Sequence, residues 1–189
     1  MNANLKEVIK EVANAPLRSS IITAAAVIDA TLETLIKKYL VDDSDFLKKS
    51  GIFSHSGCLG TFSAKAQMAY ALGLISKELY RDIDSYRDMR NKCAHEYVLD
   101  ESDMQSIGAK SKAFNLVNAC FTFKEPENAV HHSPASEIKQ YTVLEFAIIL
   151  VALTKRINGV QHCSTFPFEA HDDYLKFNEE DFSLLGGLL

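Results

Sequence analysis

The stretch "LRSSIITAAAVIDATLETLIKKYL", residues 17–40, decides the fold class of this 189-residue chain. Its apolar residues recur at steps of three and four, the spacing that brings side chains to one face of an α-helix. They form two adjoining stripes, so this helix needs neighbours on several sides and should be central. Asp29 and Glu33 interrupt the second stripe, one turn apart. The first stripe comprises Ile21, Ala25, Ile28, Leu32 and Leu35, and the second comprises Ile22, Ala26, Ile36 and Leu40.

Further helical patterns flank this central segment. "NLKEVIKEV" at 4–12 predicts a short leading helix, and "TFSAKAQMAYALGL" predicts a helix stopped by Gly73. Ser76 is a suitable N-cap for a helix over roughly 77–96, and an apolar helix is expected at about 137–157. Since no strand alternation and no internal repeat is present, the predicted class is all-α, a single-domain multi-helix bundle.

The connections are less regular. "DDSDFLKKSG" predicts a short capped turn of helix, and "GIFSHSGCLG" at 51–60 predicts a glycine-containing loop of the kind that can border a site. Another helix is expected to begin near Ser102, and "KEPENAVHHSPASE" at 124–137 reads as an irregular connection. The expected inward positions of the helix after Ser102 are Ile107, Phe114, Val117 and Cys120.

Chain length and composition point to one soluble domain. A length of 189 residues with 47% apolar and 24% charged residues suits one well-packed globular unit. We predict a helical domain over 1–158 and a C-terminal appendage over 159–189, where the periodicity degrades.

Charge and cysteine usage favour an intracellular protein with few anionic partners. The 20 basic and 25 acidic residues give a net charge of −5, whose averaged field repels nucleic acid and anionic lipid. The most apolar run, 146–153, is shorter than the ~20 residues of a membrane-spanning helix. The four cysteines lack metal-ligand spacing, and no secretory leader is apparent, so we expect a reduced cytoplasm and no membrane association.

A polar motif, "RDMRNKCAHEY" at 87–97, lies near the end of the predicted 77–96 helix. Helical spacing places Arg90 on one stripe with Leu79, Ile83, Tyr86 and Cys93, facing inward. A guanidinium keeps its charge in a protein, so it needs a carboxylate, carbonyls or a bound anion there. Asp29 and Glu33 are the expected partners.

His95 lies on another stripe, about 140° from Arg90 on an ideal helix. In the structural interpretation, Arg90 anchors an internal ion pair, Asn91 satisfies a nearby carbonyl or loop, and His95 is favoured by the helix dipole. Asp29, Glu33, Arg90, Asn91 and His95 would then form a polar core without catalytic residues. In the ribonuclease interpretation, Arg90 binds the scissile phosphate and His95 moves a proton, which requires a loosened helix end or a second chain.

Three blocks of the chain resemble the mannitol operon repressor family. They are "AAAVIDATLETLIKKYL", "GTFSAKAQMAYALGLISKELYRDIDSYRDMRNKCAHE" and, more weakly, "SPASEIKQYTVLEFAIILVALTKRI", together spanning about 17–157. The resemblance implies an all-helical regulator that lacks a recognisable DNA-binding domain and acts through protein contacts.

The portion "RNKCAH" also looks like the signature of the HEPN superfamily, an Arg and a His four residues apart with Asn after the Arg. Members are often metal-independent ribonucleases that place two such motifs across a dimer interface, while others are inactive binding modules. Carried over to this chain, that resemblance makes Arg90, Asn91 and His95 the site residues of an endoribonuclease.

Other constellations are weaker. Ala69, Gly73 and Leu79 have helix-turn-helix spacing, but the recognition helix would present Glu78 and Asp82 to DNA, so an ordinary helical hairpin is favoured. We expect no metal, because neither the His131–His132 pair nor the downstream His162, Cys163 and His171 has a zinc spacing. His55 and Cys58 lack the third group that an activated thiolate requires, and Cys93 is expected to be a small core residue.

Together these features predict a non-enzymatic transcription regulator or co-repressor that uses protein partners and no cofactor. A HEPN-like ribonuclease or an inactive RNA-binding relative is the alternative. Direct nucleic-acid binding is not expected, and a homodimer is compatible with a central apolar helix and a polar helix end.

Overall fold

The computed structural model describes residues 2–40, 44–96, 113 and 134–160. All regular structure in these ranges is α-helical, which confirms the predicted all-α class. The predicted helix after Ser102, apart from residue 113, lies outside the described residues, as does the appendage beyond residue 160. The described helices are α1 (Asn2–Asn14), α2 (Leu17–Tyr39), α3 (Ser44–Lys49), α4 (Phe62–Ala71), α5 (Lys77–His95) and α6 (Pro134–Gly159).

Helix α2 is central, as its sequence predicts, and it packs against α1, α4, α5 and α6. Its first apolar stripe is buried along its whole length. The second stripe is buried only at Ile36, whereas Ile22 is 39% exposed and Ala26 is also exposed. The two stripes therefore differ, because the N-terminal end of the second one lies beside a cleft.

The helix boundaries follow local capping. Thr61 accepts a hydrogen bond from the Ala64 N–H and opens α4, and Gly73, at φ +68°, ends the turn that follows. Ser76 accepts a hydrogen bond from the Leu79 N–H at 3.2 Å and opens α5, as predicted. Helix α6 begins at Pro134, within the stretch predicted to be irregular, because proline suits the first turn of a helix.

Two cations on α2 bind the C-terminal ends of neighbouring helices. The Arg18 guanidinium donates to the Cys93 and Glu96 carbonyls at the end of α5, and the Lys38 ammonium donates to the Ile157 carbonyl near the end of α6. Helix ends carry unsatisfied carbonyls and partial negative charge, so these contacts stabilise both. They also fix direction: α5 runs antiparallel to α2, and α6 runs parallel to it.

Helix α2 is also long and apolar enough to meet the length and hydropathy criteria of a membrane-crossing helix. The core helix of a globular bundle meets the same criteria. Here 44% of the most apolar stretch of α2 is buried inside the protein, against the surrounding helices.

Candidate functional site

A polar-walled cleft of about 550 Å³ lies between α2, the glycine-containing loop at 51–60, the start of α4 and the second half of α5. A second cavity of about 400 Å³, between α1, α2 and α6, has no titratable side chain in its lining. The first cleft is therefore the candidate site. Its lining consists of Ile22, Ala25, Ala26, Asp29, His55, Gly60, Thr61, Phe62, Ser63, Arg87, Arg90 and Asn91.

The exposed part of α2 forms the apolar side of the cleft. Ile22 and Ala26 belong to the second stripe of α2, and Asp29 follows them one turn later. This position explains why apolar side chains remain exposed at the N-terminal half of a central helix. These side chains line the cleft and are not buried between helices.

The glycine-containing loop forms a closely packed wall, as the sequence suggested for a loop bordering a site. A Cβ added at Gly57 would lie 2.1 Å from the Gly51 carbonyl oxygen, and one added at Gly60 would lie 2.2 Å from the Ser54 carbonyl oxygen. Real contacts of this kind are not that short, so only glycine fits at either position. The backbone is further tied by the Leu59 N–H, which donates to the Ile52 carbonyl at 2.9 Å.

Arg87 is held in place at the edge of the cleft. Its guanidinium donates to the Ser63 hydroxyl at 3.0 Å and lies 2.7 Å from Asp84 and 3.0 Å from Asp88. The contact with Ser63 joins α5 to the first turn of α4. Since two carboxylates compensate its charge, Arg87 is a positioned wall residue rather than a free cation.

Arg90 does not face the core. Its side chain is exposed, and its guanidinium donates to the Asn91 side-chain oxygen at 3.1 Å. The inward-facing prediction was wrong because the buried face of α5 is centred on Asp82, Met89 and Cys93, with Arg90 on its flank. Arg90 therefore opens onto the cleft instead of penetrating the bundle.

Lys65 on α4 makes the ion pairs that were expected of Arg90. Its side chain is 5% exposed, and its ammonium lies 2.9 Å from an oxygen of Asp29 and 2.9 Å from an oxygen of Glu33. Lys37 contacts the other Glu33 oxygen at 2.5 Å. Asp29 and Glu33 were predicted to pair with Arg90 on α5, and they pair instead with a lysine on α4.

The pKa values in this cluster are set by opposing effects. Burial lowers the pKa of Lys65, but its hydrogen bonds to Glu33 and Asp29 outweigh burial, so the net pKa is raised. Burial raises the pKa of Glu33, but hydrogen bonds from Lys37 and Lys65 outweigh it and the net pKa is lowered. Both shifts favour the charged forms, so the cluster is an ionised network.

One sequence signal pointed to Lys65. It is the one charged residue of α4, and it lies between Ala64 and Ala66 on a helix that buries Ala66 and Ala69. A lysine on an alanine-lined face can approach a neighbouring helix closely, because alanine leaves room for its stem. Helical spacing along α4 placed it one turn before Ala69.

His95 lies apart from the cleft. It is the exposed last residue of α5, it is not among the cleft-lining residues, and it makes no hydrogen bond with the described part of the chain. The structure therefore brings Arg90, Asn91 and Asp29 to the same cleft, whereas Glu33 and His95 are not among its lining residues. The predicted five-residue polar core does not form as one unit.

The α4–α5 pair packs as an ordinary helical hairpin, as predicted. Asp82, expected to face DNA in such a motif, is fully buried, and α5 continues for 19 residues with buried positions from Leu79 to Cys93. The turn at Gly73 joins two helices that both pack on α2. Helix α5 is thus a structural member of the bundle along its length.

Metal and thiol chemistry find little support in the described ranges. No group of three His, Cys, Asp or Glu side chains there is arranged to hold a metal ion. The histidine pair at 131–132 and the downstream His162, Cys163 and His171 lie outside those ranges. Cys58 is exposed, whereas Cys93 is buried as predicted, and burial raises the pKa of its thiol.

Comparison with known families and proteins gave one match. The sequence model described as the mannitol repressor matches residues 4–161, well over half of the chain. No curated protein and no solved structure shows a significant match. The matched range includes every described helix from α2 to α6, the cleft and the Lys65 cluster.

Proposed function

The chain belongs to the mannitol repressor family and is a regulator of that type, and we propose that it acts through protein partners rather than by reading DNA itself. The sequence blocks around α2 and α4–α5 already resembled this family, and the match covers 4–161.

The observation that carries the mechanism is the burial of α5. A recognition helix must present the side chains near its N-terminus to the edges of bases in the major groove. Here Leu79, Asp82 and Ile83 are fully buried against the bundle. Glu78, in the first turn, is acidic and partly buried, which does not suit a contact with DNA.

The overall charge supports the same mechanism. Nucleic-acid binding relies on basic surfaces that neutralise phosphates, and this chain carries a net charge of −5. A protein partner that binds DNA would supply the missing basic surface. Repression would then depend on that partner rather than on α5.

A charge-reversal experiment distinguishes repression through a protein partner from direct DNA reading by α5. Lys77 and Arg81 are the exposed cations at the start of α5, where a recognition helix would use them. The double variant Lys77→Glu/Arg81→Glu should leave repression of the target operon unchanged, as should the control Lys6→Glu/Lys10→Glu on α1. Loss of repression in the first variant alone would contradict the proposal, as would sequence-specific gel shifts by the purified protein at physiological salt.

A pull-down from the source cell, with and without nuclease, identifies what the regulator binds. The proposal predicts a protein partner that is retained after nuclease treatment. DNA recovered in the absence of any partner would overturn it.

A HEPN-like ribonuclease is the alternative that the "RNKCAH" motif suggests. It predicts RNA cleavage by the purified protein that is lost in the folded His95→Ala variant. Unchanged cleavage by that variant, or none by the parent protein, would remove it. Within one chain His95 does not line the Arg90 cleft, so this alternative requires His95 of a second chain.

A further inference from the structure

The second cavity, between α1, α2 and α6, is an open apolar groove of about 400 Å³. Its lining is aliphatic on all three helices, with Val8 on α1, Val27 on α2 and Ile157 on α6. Ala30 belongs to the same lining and is exposed. A surface of this kind is stabilised when apolar side chains cover it and remove it from water.

The threonines of α2 in this groove do not call for a polar ligand. The Thr31 hydroxyl donates to the Val27 carbonyl at 2.7 Å, and the Thr34 hydroxyl donates to the Ala30 carbonyl at 2.9 Å. Each hydroxyl hydrogen is thus used within α2 itself. Since no charged side chain of the described ranges lines the groove, it suits an apolar occupant.

Cations lie at the end of the groove where α2 and α6 finish. Lys38 is in the last turn of α2, and Lys155 and Arg156 are near the end of α6. The two helix ends are adjacent, because the Lys38 ammonium donates to the carbonyl of Ile157, which lines the groove. The stretch 150–160 contains no acidic residue, so this end favours a negatively charged neighbour.

One segment of the same chain combines the two complementary features. In "NEEDFSLLGGLL", residues 178–189, three successive carboxylates precede Phe182, and residues 182–189 carry no charged side chain. The carboxylates match the cationic end of the groove in charge. The phenylalanine and the leucines that follow match its aliphatic lining.

The segment is within reach of the groove. The described part of the chain ends at Val160, just after Ile157. Random-coil statistics give a chain as long as 161–177 a mean span of about 20–25 Å. The groove extends about 10 Å along α2 from Val27 to Thr34. A tethered segment is present at millimolar effective concentration, so modest contacts are enough to hold it.

From these observations we infer that residues 178–189 cover the groove of their own chain. Glu179, Glu180 and Asp181 lie at its cationic end, and Phe182 packs between α2 and α6. An apolar partner that used this groove would first have to displace the segment. The family match ends at residue 161, so the inference concerns a part of the chain beyond it and does not depend on the proposed protein partner.

Tryptophan fluorescence of the whole chain tests this inference, because the chain contains no tryptophan of its own. Phe182→Trp supplies a single reporter at the position that should enter the groove. Its quenching by acrylamide should be several-fold weaker than in a free peptide of residues 178–189 with the same substitution. Quenching as strong as in the peptide would overturn the inference.

Matched variants in the Phe182→Trp background locate the reporter. Ala30→Glu places a charge in the groove and should raise the quenching toward that of the peptide. Ala71→Glu changes an exposed alanine of α4 outside the groove and should leave the quenching unchanged. Circular dichroism checks that both variants keep the helical bundle. Protection that survives Ala30→Glu would place the segment elsewhere and overturn the inference.

A change within the segment keeps the test independent of bundle stability. Glu179→Gln/Glu180→Gln/Asp181→Asn should raise the quenching at low salt, and added salt should do the same without these substitutions. Absence of both effects would contradict the placement at the cationic end. The protection should also be the same at all protein concentrations. Protection that is lost on dilution would mean that a second copy supplies the segment, which would overturn the inference.

Discussion

Two cationic side chains of this protein, Lys65 and Arg90, lie in opposite surroundings. At the α2–α4 contact, Lys65 is buried and ion-paired with Asp29 and Glu33. On the flank of α5, Arg90 is exposed and contacts only Asn91 among the described residues. The sequence motif predicted a structural role for the arginine, whereas the bundle uses the lysine to neutralise two partly exposed acids.

The difference in burial decides which of the two cations needs a partner within the protein. A buried ammonium must be compensated, because desolvation costs several kcal/mol per ion. An exposed guanidinium is solvated by water and can remain available for a ligand. The comparison therefore assigns a stabilising role to Lys65 and none of comparable size to Arg90.

The largest effect is expected at the buried cation. Lys65→Met should lower the free energy of unfolding by about 3 kcal/mol, because Asp29 loses its cation and Glu33 keeps only Lys37. Urea unfolding at neutral pH measures this change. The matched control Lys37→Met removes the exposed partner of Glu33 and should cost about 0.5 kcal/mol. Equal losses in the two variants would contradict the distinction.

The next effect concerns the junction of α2 and α5. Arg18→Gln should lower the free energy of unfolding by about 1–2 kcal/mol, because the Cys93 and Glu96 carbonyls lose their charged donor. Amide hydrogen exchange should increase in the last turn of α5. Arg81→Gln is the control and should change neither quantity. Unaltered exchange in the Arg18 variant would mean that this contact does not hold the helix end.

A smaller effect is expected in acid. Because the pKa of Glu33 is lowered in the folded protein, its ionised side chain stabilises the fold at pH values above the usual carboxyl pKa. This stabilisation is lost as the pH falls through the lowered pKa. Glu33→Gln should therefore flatten the fall in urea midpoint between neutral pH and about pH 3. A fall as steep as in the parent protein would show that Glu33 does not contribute.

The smallest effect on stability is expected at Arg90. Arg90→Ala should change the free energy of unfolding by less than about 0.5 kcal/mol, as at other exposed positions. The inward ion pair predicted from the sequence would instead have cost about 3–5 kcal/mol on its removal. The same urea measurement distinguishes the two. A loss of about 3–5 kcal/mol would instead support an inward-facing, ion-paired Arg90.

Much of the fold was predictable because local rules agreed with packing. The first stripe of α2, the Ser76 cap and the Gly73 stop each follow from helical spacing or backbone preference, and each is confirmed. These features depend on residues close in sequence. The all-α class followed from helical spacing in several segments, whereas the family came from a resemblance of three sequence blocks.

The site was only partly predictable because it depends on which face of each helix is buried in the bundle. Spacing placed Arg90 on an apolar stripe, but the actual centre of the buried face shifts toward Asp82 and Met89. The pairing of Lys65 with Asp29 joins residues 36 positions apart. No local pattern specifies that contact, although the glycine-containing loop at 51–60 was expected to be able to border a site and does contribute to the cleft lining.

The most direct test is ¹⁵N NMR of the side-chain ammonium and guanidinium groups, comparing the parent protein with Asp29→Asn. If Lys65 is the buried partner of Asp29, its ammonium signal should be protected from solvent exchange and should shift in the variant, while the Arg90 signal exchanges rapidly and stays in place. A protected Arg90 signal that shifts with the substitution, beside an unaffected Lys65, would contradict the account.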